Sequence, residues 1–275
     1  MRTIAIMNQK GGVGKTTTAV NLSAALAAAG CRVCLIDMDP QAHATLHLGI
    51  EPQLEMPSVY DVLVRDRSLS EVRREVESGL WIVPSHLDLA AAEVELAGVV
   101  GREVILRDKL SEDSAEFDYV IVDCPPSLGI LTINALAAVH EVFIPLQPHF
   151  LALHGLSKLL QTVELVAKRL NGHLRLTGVI LCMFDTTTRL AAEVSEDVDA
   201  FFDRRHETEK PWSGAKMFRA RIRRNIRLAE APSFGRSIFA YAPDSNGAED
   251  YRKLAEEVLA QTAERACPPL QRAAG

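Results

Sequence analysis

Two lysines within one glycine-rich octapeptide are the residues of this chain best suited to chemistry. Residues 10–17 read Lys-Gly-Gly-Val-Gly-Lys-Thr-Thr and directly follow the apolar run at 3–7. Glycines after a strand allow a tight turn whose N–H groups point inward at an anion. A helix starting there adds the positive end of its dipole. In such a loop Lys15 reaches the β- and γ-phosphates of a nucleotide and Thr16 holds Mg²⁺. Lys10 has no task in the ordinary version. The strict Walker A pattern also requires glycine at position 9, where this chain has Gln9.

Two other apolar runs end in carboxylates. Residues 32–37 lead into Asp37-Met-Asp-Pro-Gln41, and Tyr119-Val-Ile-Val leads into Asp123-Cys-Pro-Pro-Ser127. An aspartate at the end of a buried strand is the Walker B arrangement, which orients the magnesium shell directly or through water. Asp123 has that position. Of Asp37 and Asp39, one is expected to face the nucleotide and the other to bond backbone in the turn before Pro40.

These residues have to be held by a scaffold, and its elements are readable. Strands are expected at 3–8, 32–37, 80–84, 119–123, 142–145, 176–183 and 216–222, several as continuous apolar runs suited to burial on both faces. Helical patterns lie between them at 16–29, 87–98, 102–110, 156–170, 191–205 and 248–264. This alternation predicts an α/β fold with a doubly wound, mostly parallel sheet flanked by helices, whose ligands bind at the carboxyl ends of strands. A single domain is expected over 1–266, with 267–275, which holds two consecutive prolines, as a flexible tail.

Composition bounds the function. The chain has 275 residues, 48% hydrophobic and 24% charged, with a net charge of −6. That charge argues against a protein that coats nucleic acid over its whole surface, but leaves room for a local basic patch. No apolar run approaches the roughly 18–20 residues of a membrane span, and no signal peptide is apparent; a cytoplasmic protein is expected. Cys31 and Cys34 form a C-x-x-C, but within a strand their side chains face opposite sides and should not converge. His43 and His47 lack the glutamate of a zinc-protease helix, so packing or solvation is their expected role.

One segment departs from the acidic average. Between residues 216 and 227 there are six basic residues, Lys216, Arg219, Arg221, Arg223, Arg224 and Arg227, and no acidic one. On a strand Arg219, Arg221 and Arg223 share a face, a pattern suited to phosphate-backbone contacts or to an edge strand kept soluble by charge. No aromatic interleaves between 219 and 227, so base stacking is not expected. No helix-turn-helix module precedes the loop, so neither is sequence-specific reading.

Taken together, these motifs resemble the ParA/MinD group of deviant Walker ATPases, most closely its chromosome-type ParA (Soj) partitioning branch. The resemblance runs through 8–18, 35–41, 123–129, 132–135, 224–233 and 241–247. It implies that Lys10 is the signature lysine reaching across an ATP-sandwich homodimer to the partner's phosphates. Lys15 and the loop Gly11, Gly12, Val13, Gly14, Thr16 and Thr17 would cradle ATP. Asp39 would position the attacking water, and Thr16, Asp39 and Asp123 would surround Mg²⁺. Pro243 and Asp244 lie where the family contacts adenine. The 216–227 cluster lies where Soj-like proteins bind duplex DNA without sequence preference, although the family usually has proline in place of Arg223. The implied activity is slow ATP hydrolysis, stimulated by a ParB-like or cargo-adaptor partner, in a cytoplasmic, nucleoid-associated protein. A MinD-like membrane-cycling ATPase is the alternative. It requires a C-terminal amphipathic helix, and residues 263–275 offer no strong apolar face. An iron–sulfur relative of the same fold would need cysteines converging from two subunits, but Cys124, beside Asp123, is the ordinary residue there in Soj-like chains.

Overall fold

Strands whose side chains are apolar on both faces must be covered on both, and that requirement builds this molecule. The computed structural model describes residues 1–149, 152–185, 189–203 and 210–266. Among these residues there are eight strands: β1 Arg2–Ile6, β2 Val33–Asp37, β3 Arg74–Glu77, β4 Leu80–Val83, β5 Tyr119–Asp123, β6 Glu141–Leu146, β7 Arg175–Phe184 and β8 Lys216–Arg223. They form one sheet in the order β3-β4-β2-β5-β1-β6-β7-β8. All neighbours are parallel except β3, which runs antiparallel to β4. Every residue of β1, β2, β5 and β6 is buried.

The helices are α1 Lys15–Ala28, α2 His43–His47, α3 Val59–Val64, α4 Leu69–Val72, α5 Ala92–Glu95, α6 Ile105–Glu112, α7 Ile130–Ala138, α8 Ala152–Arg169, α9 Arg189–Asp203, α10 Ile226–Glu230, α11 Ile238–Tyr241 and α12 Asn246–Ala266. Alternate strand residues serve two cores. Ile4, Ile6 and Leu35 pack with Leu22 and Leu26 of α1 and Leu254 and Val258 of α12. Ala5, Ile36 and Val122 face Leu131 and Leu136 of α7 and Leu159 and Val163 of α8. No described helix is long and apolar enough to cross a membrane.

All seven expected strands are present, with ends differing by no more than two residues. β3 was not anticipated. Its Arg74-Glu-Val-Glu77 is a half-exposed, charged edge strand without the apolar run that marks the others. The helix expected at 87–98 is instead three short turns, a 3₁₀ segment Leu87–Ala91, α5, and a second 3₁₀ segment Leu96–Gly98. Only Leu89, Ala92 and Leu96 anchor it in the core, one side chain per turn, which tight 3₁₀ turns satisfy as well as a continuous helix. The tail at 267–275 and the last two residues of the helix expected at 191–205 lie outside the described residues.

Parallel register aligns the carboxyl ends of the three central strands. Asp123 pairs with Ile6 of β1 on one side and Asp37 of β2 on the other. The loops leaving β1, β2 and β5 therefore emerge at one place.

Candidate functional site

The loop after β1 is shaped by glycines that no other residue replaces without strain. Gly12 and Gly14 have φ of 73° and 91°, in the left-handed region. Gly14 is the N-cap of α1 and the helix has no side-chain cap. Its first N–H groups therefore lack partners within the helix and face the loop. The Asn8 amide ties the loop to the sheet: its Nδ2 donates to Pro145 O at 2.8 Å, and its Oδ1 accepts from Lys10 N at 3.0 Å. Lys15 Nζ arches back and donates to Lys10 O at 3.1 Å. Burial lowers the Lys15 pKa, against the opposing pull of Asp123 and Asp39.

A cleft of about 420 Å³ lies over this loop. Gly11, Gly12, Gly14, Lys15, Thr16, Thr17 and Asp39 all line it. Val13 is buried at 1% exposure and does not line the cleft. A second, more apolar cleft of about 350 Å³ shares Gly14, Thr17 and Met183 with the first, and is closed by Ile222, Leu228 and Tyr251.

The carboxylates behave differently. Asp37 is saturated: Oδ1 accepts from Asp39 N at 3.1 Å, and Oδ2 accepts from Thr45 N at 2.9 Å and Thr45 Oγ1 at 2.7 Å. It is the residue that bonds backbone in the turn, and Asp39 is the one that reaches the cleft. Asp123 is fully buried and, among the described residues, neither of its oxygens has a hydrogen-bond partner. Burial, reinforced by the charge of Asp37, pushes the Asp123 carboxyl well above the usual range, while the neighbouring Thr16 hydroxyl and Lys15 pull it down. A buried carboxylate with only the Thr16 hydroxyl beside it is costly to ionise, and positive charge brought to the site would offset that cost. Thr16 and Asp123 together fit a magnesium ion, which takes a few protein oxygens and keeps its remaining waters.

Lys10 is exposed at the rim, with Nζ 2.5 Å from His149 Nε2. Burial and that ammonium hold the His149 imidazole below its ordinary value. Neither His149 nor Met183 was a candidate from the sequence. His149 follows β6 and Met183 is the penultimate residue of β7; both strands are apolar, so the rule that pointed to Asp123 applies to their carboxyl ends as well. Pro243 and Asp244 line a separate depression with Arg227 and Tyr241, and share no wall with the two clefts.

The thiols lie apart from this chemistry. Cys31 precedes β2 at intermediate exposure, while Cys34 is buried within it, and both are free. Burial pushes the Cys34 thiol up to about 12 and raises that of Cys124 as well. Among the described residues no group of three or more His, Cys, Asp and Glu could hold a metal ion. His43 is exposed on α2, and His47 is buried and pushed down to about 4 by that burial.

The basic segment forms the outer strand of the sheet, β8. Phe218, Ala220 and Ile222 face inward, which leaves Arg219, Arg221 and Arg223 on the opposite face. The strand's edge is covered by α12 carboxylates: Glu257 accepts from Arg219 N and Ala220 N, and Asp250 accepts from Arg223 N. Arg223 is also clamped by side-chain bonds to Asp250 and Glu249, and these raise its pKa. Arg221 Nη1 donates to Phe218 O, and Arg227 pairs with Glu230 at 2.8 Å. Lys216, Arg219 and Arg224 are exposed, with no ion pair among the described residues.

A doubly wound sheet with a glycine loop at its central strand, a helix N-terminus over that loop and a carboxylate on the adjoining strand defines the class of P-loop nucleotide-binding proteins. Comparison with known proteins narrows the class. An AAA domain family model (AAA_31) matches residues 1–176. The sporulation initiation inhibitor protein Soj of Bacillus subtilis (strain 168) is 48% identical over 258 residues, which cover 94% of this chain and 98% of that protein. The chromosome partitioning protein ParA of Myxococcus xanthus (strain DK1622) is 46% identical over 259 residues, covering 94% of this chain and 88% of its own. Among solved structures, cobyrinic acid a,c-diamide synthase from Mycobacterium smegmatis, with bound ATP analog and magnesium, superposes with a TM-score of 0.81 at 35% identity, covering 96% of this chain and 97% of that one. The chain belongs to the ParA/Soj family of chromosome-partitioning ATPases.

Proposed function

We propose that this chain is an ATP-driven switch that binds DNA as a dimer and is reset by hydrolysis. The observation that carries the reading is Asp123, buried with two unpartnered oxygens beside Thr16 in a glycine cradle. Magnesium bound there would neutralise charge on the phosphate oxygens. Thr16 would hold it by its hydroxyl and Asp123 through its water shell.

The triphosphate occupies the cleft at Lys15, and the base occupies the apolar cleft bounded by Met183, Ile222 and Leu228. Pro243 and Asp244, which line a separate depression, form no part of that cleft's wall. Asp39 holds a water in line with the γ-phosphorus. The water's oxygen forms the new bond to phosphorus as the bond from phosphorus to the β–γ bridging oxygen breaks; ADP leaves with that electron pair, and the water's proton passes by way of the Asp39 carboxylate to the phosphate released. Lys15 stabilises the charge that develops on the transferred group. Lys10 leaves His149 and reaches the phosphates of a second chain, so that ATP binding and dimerisation become one event. Lys216, Arg219 and Arg224 supply a face for duplex phosphates, and a ParB-like or cargo-adaptor protein accelerates turnover.

Phosphate release with and without magnesium, DNA and the candidate partner tests the reading. Magnesium-dependent release lost in Lys15→Ala is expected. A wild-type protein that binds no ATP, or a Lys15→Ala protein that hydrolyses it normally, overturns it.

A further inference from the structure

Four residues from two strand ends, β2 and β4, and the short helix α2 close a ring on Asp39. Its N–H donates to Asp37 Oδ1 at 3.1 Å. The other oxygen of Asp37 accepts from Thr45 Oγ1 at 2.7 Å. That hydroxyl oxygen accepts in turn from Ser85 N at 2.9 Å, and Ser85 Oγ donates to Asp39 O at 2.8 Å. The ring therefore grips the Asp39 peptide from both its N–H and its C=O. Asp37, Thr45 and Ser85 are each 0% exposed, so every one of these bonds is made where water cannot substitute for it.

The turn that the ring encloses is strained. Asp39 O also accepts from Ala42 N at 2.9 Å, and Ala42 has φ 53°, a left-handed conformation disfavoured for a residue with a Cβ. Gln41 N donates to Asp39 Oδ1 at 3.0 Å, which fixes one carboxylate oxygen. Strain of this kind persists only where the surroundings over-determine it, and here the surroundings are the ring.

We propose that Ser85 and Thr45 are positioning residues for hydrolysis, holding the Asp39 carboxylate in its working place through its backbone. Neither residue lines the phosphate cleft, so neither touches the nucleotide. The inference rests on Asp39 orienting the attacking water, and a misplacement of about 1 Å in such a group can cost up to 100-fold in rate.

The test is steady-state ATP hydrolysis by the full chain, counted per folded molecule well below the melting temperature, together with ATP affinity. Ser85→Ala removes one link. Thr45→Val removes the hydroxyl at constant shape, and Thr45→Ser keeps it. The expected result is a kcat about 10-fold lower in Ser85→Ala and Thr45→Val, ATP affinity and KM within about twofold, and a near-normal rate in Thr45→Ser. A purely structural ring would lower the melting temperature and leave kcat per folded molecule unchanged. Normal kcat in Ser85→Ala and Thr45→Val beside an inactive Asp39→Ala overturns this inference and leaves the role of Asp39 standing. Thr45→Ser as slow as Thr45→Val also overturns it. Normal turnover in Asp39→Ala removes the role of Asp39 itself. If Thr45→Val does not fold, Ser85→Ala carries the test.

Discussion

Asp37 and Asp123 stand directly opposite each other in the parallel register of β2 and β5, both fully buried. One accepts three hydrogen bonds and the other accepts none. The pair divides two tasks that a single carboxylate could not perform. Asp37 gives its oxygens to the turn that carries Asp39, whereas both oxygens of Asp123 are left for the cation and water shell proposed above.

That asymmetry has a pH signature. The Asp37 carboxyl is pushed up to about 6 and that of Asp123 well above its ordinary value, in both cases chiefly by burial. A raised value means that the folded chain binds the proton more tightly than the unfolded one. The associated stability is complete below the unfolded value of about 4 and is lost as pH rises through the folded value. Without nucleotide or magnesium, Asp123→Asn should therefore stabilise the protein at pH 8, by about 1 kcal/mol or roughly 2–4 °C in Tm. The gain should be smaller at pH 5 than at pH 8, because the cost of ionising a buried carboxyl grows as pH rises through its raised value. Thermal melts at the two pH values check this, and an equal gain at both contradicts it.

Lys10 and Lys15 should separate by function although they are five residues apart. Lys15→Ala is expected to abolish ATP binding. Lys10→Ala should keep it and weaken ATP-dependent dimerisation by about 2–5 kcal/mol, the usual cost of truncating one partner of a buried charge pair. Light scattering with ATP reads the mass directly. A Lys10→Ala protein that still dimerises at wild-type concentrations excludes the action in trans.

The arginines of β8 and of the turn that follows it should not be interchangeable. Replacing Arg219 and Arg224 by alanine should weaken binding to duplexes of any sequence and lower the slope of log K against log salt by about 0.9 for each phosphate no longer neutralised. Arg223→Ala should chiefly destabilise the fold, by about 1–3 kcal/mol, because it strands the buried Asp250. Gel shifts over a salt series, paired with denaturant melts, distinguish the two effects. Unaltered DNA binding in the Arg219, Arg224 double variant removes the assignment.

Stability far from the nucleotide should depend on Arg2. Its guanidinium donates to both oxygens of Glu141, at 2.6 and 2.9 Å, and to Val258 O at 2.6 Å, joining β1, β6 and α12. Arg2→Met leaves Glu141 buried without its cation and should cost about 3–5 kcal/mol, roughly 10 °C in Tm. A urea melt with an unchanged midpoint would show that the pair contributes nothing.

By itself the sequence determined the phosphate loop, the seven parallel strands, and Asp39 and Asp123 as the carboxylates of interest. Those features are local: a glycine needed for positive φ at positions 12 and 14, an apolar run of strand length, an acidic residue where that run stops. Only the tertiary structure decided which oxygens are left unpaired, since Thr45 saturates Asp37 and Ser85 donates to the Asp39 carbonyl from across the sheet. It also decided that Arg223 is bound by α12 while Arg219 remains on the surface. It brought His149 to Lys10, and put Pro243 and Asp244 outside the clefts. The physical reason is that these contacts are made across strand order. Nothing in the periodicity of β2, β4 and β5 states that they are neighbours, and the charge left on a buried carboxylate is set by which neighbours it finds there.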